Sequence, residues 1–332
     1  LLARQDQRDQ RTDDENQLKI IFDTDPGIDD AMALLYLSAL PDIELIGITT
    51  IHGNASIEDC TRNALYLCEH YNIKAPVFQG EATGFSSIAP EKYPDFVHGA
   101  DGLGNTNRSP SSKTLDEMSA VDFLIKSLKD YPGEITILAV GRLTNLAKAL
   151  EKEPELQELA NEVIFMGGTI KAKGNVSAWA EANIFGDPEA AAIVFSSRLK
   201  LTMVGLDVTN SARMTLPFVE SLVPENDEIS TFLVAINQYY ADFYRETEGT
   251  DDFPIHDSSA VAYLHDPSIF ETKSGNLRCI LDGKERGRTV FQEDRNGIHK
   301  VCMKVNPEQL LRNYAAQTKS KYNPHEAGTP RR

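Results

Sequence analysis

Four carboxylates fall within eight residues near the start of the chain: Asp23, Asp25, Asp29 and Asp30, in the stretch IIFDTDPGIDDAMALL, residues 20–35. Two carboxylates about 4 Å apart repel by roughly 4 kcal/mol at an effective dielectric of ~20. Several such pairs rival a typical folding stability of ~5–15 kcal/mol. Between Lys19 and Lys74 the only basic residue is Arg62, so no local partner is offered. A hard divalent cation with oxygen ligands, Ca²⁺ or Mg²⁺, answers the repulsion economically. A capped turn with solvated acids is the plainer alternative, because helix starts favour negative charge. An EF-hand loop counted from Asp23 needs a Glu at its twelfth position and meets Leu34 instead. A D-x-D phosphotransferase site, with Asp23 as nucleophile and Mg²⁺ beside it, stays a rival.

The flanking residues say where this cluster sits. Ile20 to Phe22 reads as a buried strand, Pro26-Gly27 as a turn, and the run from Ile28 to about Leu40 as a helix apolar nearly all round. Strand ends next to helix starts are where open α/β sheets bind ligands. Further strands are expected at 43–51, 76–79, 134–140, 162–166 and 201–206. Three more strand-like segments lie near Leu277, Thr289 and Val301. Helices are expected at about 56–71, 116–129, 216–223 and 228–244, after Arg142, after Asp187-Pro188, after His256-Asp257, and after Pro307. The continuous β-branched strands suit burial on both faces. Their alternation with helices predicts an open, mostly parallel, doubly wound (Rossmann-like) α/β sheet with helices on both faces. One domain is expected over 18–316, between a polar N-terminal tail, 1–17, and a frayed C-terminal tail, 317–332. The long loop 80–113 holds His98 and is read as a lid or pocket wall.

Polar residues recur where the strands stop: Asp23 and Asp25, Asn54, the carbonyl end at Val140, Met166, and later His256-Asp257. On one sheet edge, Asp257 could join Asp25 and Asp30 around one ion. Asn54, Asn175, Glu181 and Asn183 could then bond a polyhydroxylated ligand. No basic cluster accompanies them, so a neutral sugar suits the set better than a phosphate. The net charge of −17 over 332 residues argues against nucleic acid and against an anionic membrane surface. No run approaches the ~20 apolar residues of a membrane span. The four cysteines lack zinc spacing and are expected as buried free thiols, in keeping with a cytoplasmic location. Removal of an N-terminal segment stays open.

The chain resembles the inosine–uridine-preferring nucleoside hydrolases. The matching segments are DTDPGIDDAMAL (23–34), ITTIHGN (48–54), VHGADGLG (97–104), GRLTNLA (141–147), VIFMGG (163–168), AEANIFGDPEAA (180–191), TMVGLD (202–207) and IHDSSAVAY (255–263). The resemblance implies hydrolysis of the N-glycosidic bond of ribonucleosides with bound Ca²⁺. It implies Asp25, Asp30, Asp257 and the Val140 carbonyl as metal ligands, with Asp25 also the base. Asp29, Asn183 and Asp257 would hold the ribose 2′- and 3′-hydroxyls, and Asn175 and Glu181 the 5′-hydroxyl. Asn54 would lie beside the attacking water and His256 near the base as acid, while Met166, at a strand end, is read as core or as the floor under the ribose. Asp23 would support from behind. A non-catalytic nucleoside binder on the same scaffold is the second rival. Family analogy suggests a homodimer or homotetramer. Two positions depart from the pattern: Ala182 stands where an aromatic is common, and Val140 where Thr is common.

Overall fold

A computed structural model describes residues 17–85, 92–225 and 227–323. The tail expected over 1–17 lies, apart from Gln17, outside the described residues, as does 324–332.

Eleven strands are formed among the described residues: β1 Leu18–Thr24, β2 Ile43–Thr50, β3 Val77–Phe78, β4 Ile135–Ala139, β5 Glu162–Met166, β6 Leu201–Val204, β7 Arg213–Thr215, β8 Asp252–Pro254, β9 Phe270–Cys279, β10 Thr289–Glu293 and β11 His299–Val305. Nine make one sheet in the order β3-β2-β1-β4-β5-β6-β11-β9-β10. All neighbours are parallel except β9, which runs against both β11 and β10. The first six strands follow the 3-2-1-4-5-6 order of a dinucleotide-type sheet, whose winding reverses between β1 and β4. The expected fold class is therefore the one observed.

Side-chain alternation builds the layers. In β1, Ile20 and Phe22 enter one apolar core while Ile21 enters the other. In β4, Leu138 joins the first and Ile135, Ile137 and Ala139 the second. The helix Ile28–Ser38 is buried from Ile28 through Leu37, as its all-round apolarity predicts.

Three details differ from the sequence reading. The loop expected over 80–113 carries a short helix, Asp95–His98. β7 and β8 pair into a separate two-stranded ribbon, too short to leave a periodic signal. The last helix, Pro307–Tyr322, continues past the boundary expected at 316. It does so because its inner face is held. The Tyr314 hydroxyl donates to Met32 O at 2.8 Å, Thr318 is fully buried, and the Lys321 ammonium donates to Ser38 O at 2.7 Å.

Candidate active site

β1 delivers Asp25 beside the β1–β4 reversal, and the turn Asp25-Pro26-Gly27 opens the helix from Ile28. Asp30, in that helix's first turn, folds back on the turn. Its carboxylate accepts from Gly27 N–H (2.9 Å), Asp25 N–H (3.2 Å), the Thr24 hydroxyl (2.5 Å) and the Asn54 amide (2.9 Å). The capping role is thus real for Asp30, and it also fixes the acid in place.

Asp25 is held differently. Its Oδ2 accepts from Asn54 N–H at 2.9 Å, and its buried Oδ1 has no partner. Gly53 and Gly141 flank it closely. A Cβ at Gly53 would come within 1.9 Å of Oδ2, and one at Gly141 within 2.6 Å of Oδ1. Only glycine fits at either position.

One carboxylate oxygen each from Asp29, Asp30 and Asp257 lies within 4.8 Å of the others. Asp257 arrives from the first turn of the helix His256–His265. The corners of this triangle differ from the expected set: Asp29 is one of them, and Asp25 adjoins it. Burial raises the pKa of all four acids. The Asp30 charge adds to the rise at Asp25, Asp29 and Asp257. Among the described residues no Lys or Arg forms an ion pair with any of the four. Arg142, just beyond β4, opposes the rise at Asp25 through its charge; the sequence reading did not pick it out. Asp29 Oδ1, like Asp25 Oδ1, is buried without a hydrogen-bond partner, with His98 Nδ1 4.0 Å away. Two open carboxylate oxygens in a buried acidic cluster fit the donor set of a hard cation.

Above the cluster lies a cleft of about 180 Å³. Its walls include Asp29, Asn54, His98, Val140, Met166, Asn175, Glu181, Asn183, His256 and Asp257. Apart from Asp25 and Asp30, which lie beneath, every site residue expected from the sequence is in this lining. The Asn183 amide donates to the carbonyls of Val140 (2.8 Å) and Met166 (3.2 Å). A carbonyl has two lone pairs, so Val140 keeps one free. Glu181 caps the helix Ala182–Gly186 and accepts from the N–H groups of Asn183 (2.9 Å), Gly168 (2.8 Å) and Ile184 (3.2 Å). Asn175 accepts from Ala182 N–H at 3.0 Å. The far wall is aromatic: Phe96, Tyr240, Phe243 and Tyr244.

Both cleft histidines are buried. His256 pairs its Nδ1 with the Thr209 hydroxyl at 2.8 Å, and its Nε2 lies 3.4 Å from the Tyr244 hydroxyl. His98 Nδ1 accepts from Ile28 N–H at 3.1 Å, and its ring lies over Tyr240, centroids 5.8 Å apart. Burial pushes His256 down to about 4 and His98 to about 3. His256 is therefore neutral in the resting site. The two-form residue that an ordinary histidine pKa of about 6.5 suggests is not what burial allows.

Asp23 is poorly placed as a phosphoryl acceptor: it lies outside the cleft lining, and its Oδ2, though unpartnered, is buried. It is 2 % exposed, and its Oδ1 is taken by the Thr49 hydroxyl (2.5 Å) and the Asn145 amide (2.8 Å).

Residues 20–312 match the family described as inosine-uridine preferring nucleoside hydrolase. A probable uridine nucleosidase 1 from Oryza sativa subsp. japonica is 39% identical over 277 residues, 83% of this chain and 85% of the relative. An inosine-uridine preferring nucleoside hydrolase from Leishmania major is 39% identical over 296 residues, 86% of this chain and 93% of its own. The chain belongs to this nucleoside hydrolase family. A solved plant nucleoside hydrolase, the PpNRh1 enzyme, superposes with a TM-score of 0.86 at 37% identity, covering 91% of this chain and 98% of that one. A purine-preferring ribonucleoside hydrolase from Gardnerella vaginalis gives 0.88 at 32% identity, over 92% and 99%. As a nucleoside hydrolase, the protein is an enzyme acting on small-molecule ribonucleosides. Among its described residues no helix is long and apolar enough to cross a membrane.

Proposed function

We propose that this nucleoside hydrolase binds a ribonucleoside with its ribose over the acidic cluster and its base against the aromatic wall, and releases free base and ribose. The observation that carries this reading is the convergence of Asp29 and Asp257, in the cleft lining, with Asp30, beside the unpartnered Oδ1 of Asp25. Asp25, Asp30, Asp257 and the Val140 carbonyl would hold Ca²⁺, with Asp29 close enough to share in it. Ca²⁺ when bound supplies orientation and charge balance for the water and the ribose diol.

The protein's own groups do the rest. Asp25, whose Oδ1 has no hydrogen-bond partner, takes a proton from the attacking water, a task for a carboxylate. Asp29, Asn183 and Asp257 hold the 2′- and 3′-hydroxyls. Asn175 and Glu181 hold the 5′-hydroxyl, and the three backbone donors on Glu181 keep its carboxylate from turning away. Asn54 steadies Asp25 and Asp30 and borders the water, His98 walls the sugar side, and Met166 forms the floor. Cleavage passes through an oxocarbenium-like sugar, and the fixed carboxylates stabilise that charge. His256 serves the departing base as acid by first taking up a proton from solvent; the imidazolium then gives that proton to the base and returns to the neutral ring that Thr209 and Tyr244 hold in place.

The functional unit is one domain over about 18–316, to which the helix end at Tyr322 is fastened. A homodimer or homotetramer, read by light scattering, and a cytoplasmic location complete the proposal; four unpaired, buried cysteines accord with a reducing compartment. The named relatives differ in base, from uridine to purine. The test is therefore a reducing-sugar assay over a nucleoside panel, with and without chelator. Ribose release that a chelator removes and Ca²⁺ restores supports the reading. Nucleoside binding with no turnover would show a binder instead, and phosphate release from a phosphomonoester with no ribose would show a phosphatase.

A further inference from the structure

We propose that Asn63 is a positioning residue for the reaction, setting the acidic turn and the His98 loop in register with each other. It lies on the helix Ile57–His70, is not among the residues that line the cleft, and is fully buried. Its amide nitrogen donates to two carbonyls on different segments: Pro26 O at 3.0 Å and Asp101 O at 2.9 Å. Its Oδ1 accepts from the Arg108 guanidinium at 2.8 Å. One side chain thus joins the turn that carries Asp25, Asp29 and Asp30 to the loop that carries His98.

Both ends of this tie are stiff. Pro26 sits between Asp25 and Gly27, inside the turn. On the other side, the loop is folded upon itself. Asp101 Oδ1 accepts from the N–H groups of Leu103 (2.8 Å) and Asn105 (2.9 Å), and Gly104 N–H donates to His98 O at 2.7 Å. Arg108 closes the far end, donating to Leu103 O at 3.3 Å and to the Thr106 hydroxyl at 2.7 Å. Gly102, at φ +79°, must be glycine, because a Cβ there would lie 2.8 Å from the Asn63 amide nitrogen.

Among the described residues, one other side-chain hydrogen bond joins the His98 loop to the acidic turn's helix start: His98 Nδ1 with Ile28 N–H. Asn63 and His98 are therefore two pins of one joint. Removing Asn63 leaves two carbonyls without their donor and lets the imidazole drift over Asp29. Misplacement by about 1 Å costs an active site on the order of 100-fold.

No other side chain can make these three bonds at this reach. Leucine keeps the volume and removes them all, and aspartate offers oxygens to two carbonyls.

The inference rests on the proposed nucleosidase reading, and a double-mutant cycle tests it separately. In the Ca²⁺-loaded enzyme, Asn63→Leu should lower kcat/KM for nucleosides by about 100-fold in folded protein. His98→Ala should cost its own loss. In the His98→Ala background, Asn63→Leu should cost about tenfold or less. Amide exchange at Ile28 should quicken in the single Asn63→Leu variant. Should Asn63→Leu not fold, Arg108→Leu replaces it: a loss of about tenfold that shrinks in the His98→Ala background is expected. Losses that multiply, or an Asn63→Leu enzyme within threefold of the parent, overturn the assignment while leaving the nucleosidase reading intact. A parent enzyme that releases no ribose overturns both.

Discussion

The Asn183 amide spans the mouth of the sheet, donating to the Val140 carbonyl at the end of β4 and to the Met166 carbonyl at the end of β5. Two strand ends are thereby tied by a side chain that also faces the cleft. Replacing Asn183 with Ala should lower kcat/KM by about 100- to 1,000-fold, the range for loss of one preorganised donor. Asn183→Asp should do worse than Ala, since it sets a carboxylate against two carbonyl oxygens. Steady-state kinetics on the best nucleoside decide it, and an alanine variant within fivefold of the parent rules the role out.

Asp25→Ala should abolish ribose release while the fold persists. The buried Oδ1 is unpartnered and its burial cost is already reflected in a raised pKa, so the metal-free variant should melt no lower than the metal-free parent. Thermal unfolding and a ribose assay read the two halves. Retention of most turnover would show that another group takes the proton.

Ca²⁺ should stabilise the fold more as pH rises. The folded pKa values of Asp25, Asp29, Asp30 and Asp257 lie above their unfolded values. Protons therefore stay on these acids in the folded protein at low pH, and that contribution to stability is lost as pH climbs through the raised values. A cation competes with those protons, so binding releases them. The rise in Tm on adding Ca²⁺ should be larger at pH 8 than at pH 5.5. An equal or reversed difference would place the ion elsewhere.

His52 offers a second pH dependence, of opposite sign. It is fully buried, and burial pushes its pKa down to about 4. The unfolded chain takes up the proton first, near 6.5. Stability from the neutral ring is present above pH 6.5 and is lost as pH falls towards 4. His52→Gln should flatten the fall of Tm across that window. A variant as acid-sensitive as the parent would exclude His52 as a cause.

The middle of the sheet was readable in the sequence because β4, β5 and β6 are buried along nearly their whole length and are written as mostly apolar runs. EVIFM spans its strand as expected, while the run over 134–140 is trimmed to Ile135–Ala139. The candidate site was readable in part because Asp25 and Val140 follow β1 and β4 directly and Met166 ends β5, whereas Asp257 opens a helix behind β8, outside the main sheet. Less visible was anything set by packing across the chain. That Asp29 forms a corner of the acidic triangle depends on how Asp257 docks. Arg142 acts on Asp25 only because β1 and β4 are neighbours. Tyr240 and Tyr244 share a helix face by spacing, but nothing in the spacing says that the face borders a cleft. Trp179 is neither core nor cleft lining: it is 39 % exposed, with the Arg288 guanidinium 4.8 Å above its ring.

β1 lies between β2, its successor, and β4, which the chain reaches only after a long excursion. The bond from Asn145 to Asp23 alone spans 122 positions. Such distant pairings are slow to close. On dilution from denaturant, helical signal should therefore return well before turnover, and the lag between the two would time the arrival of β4.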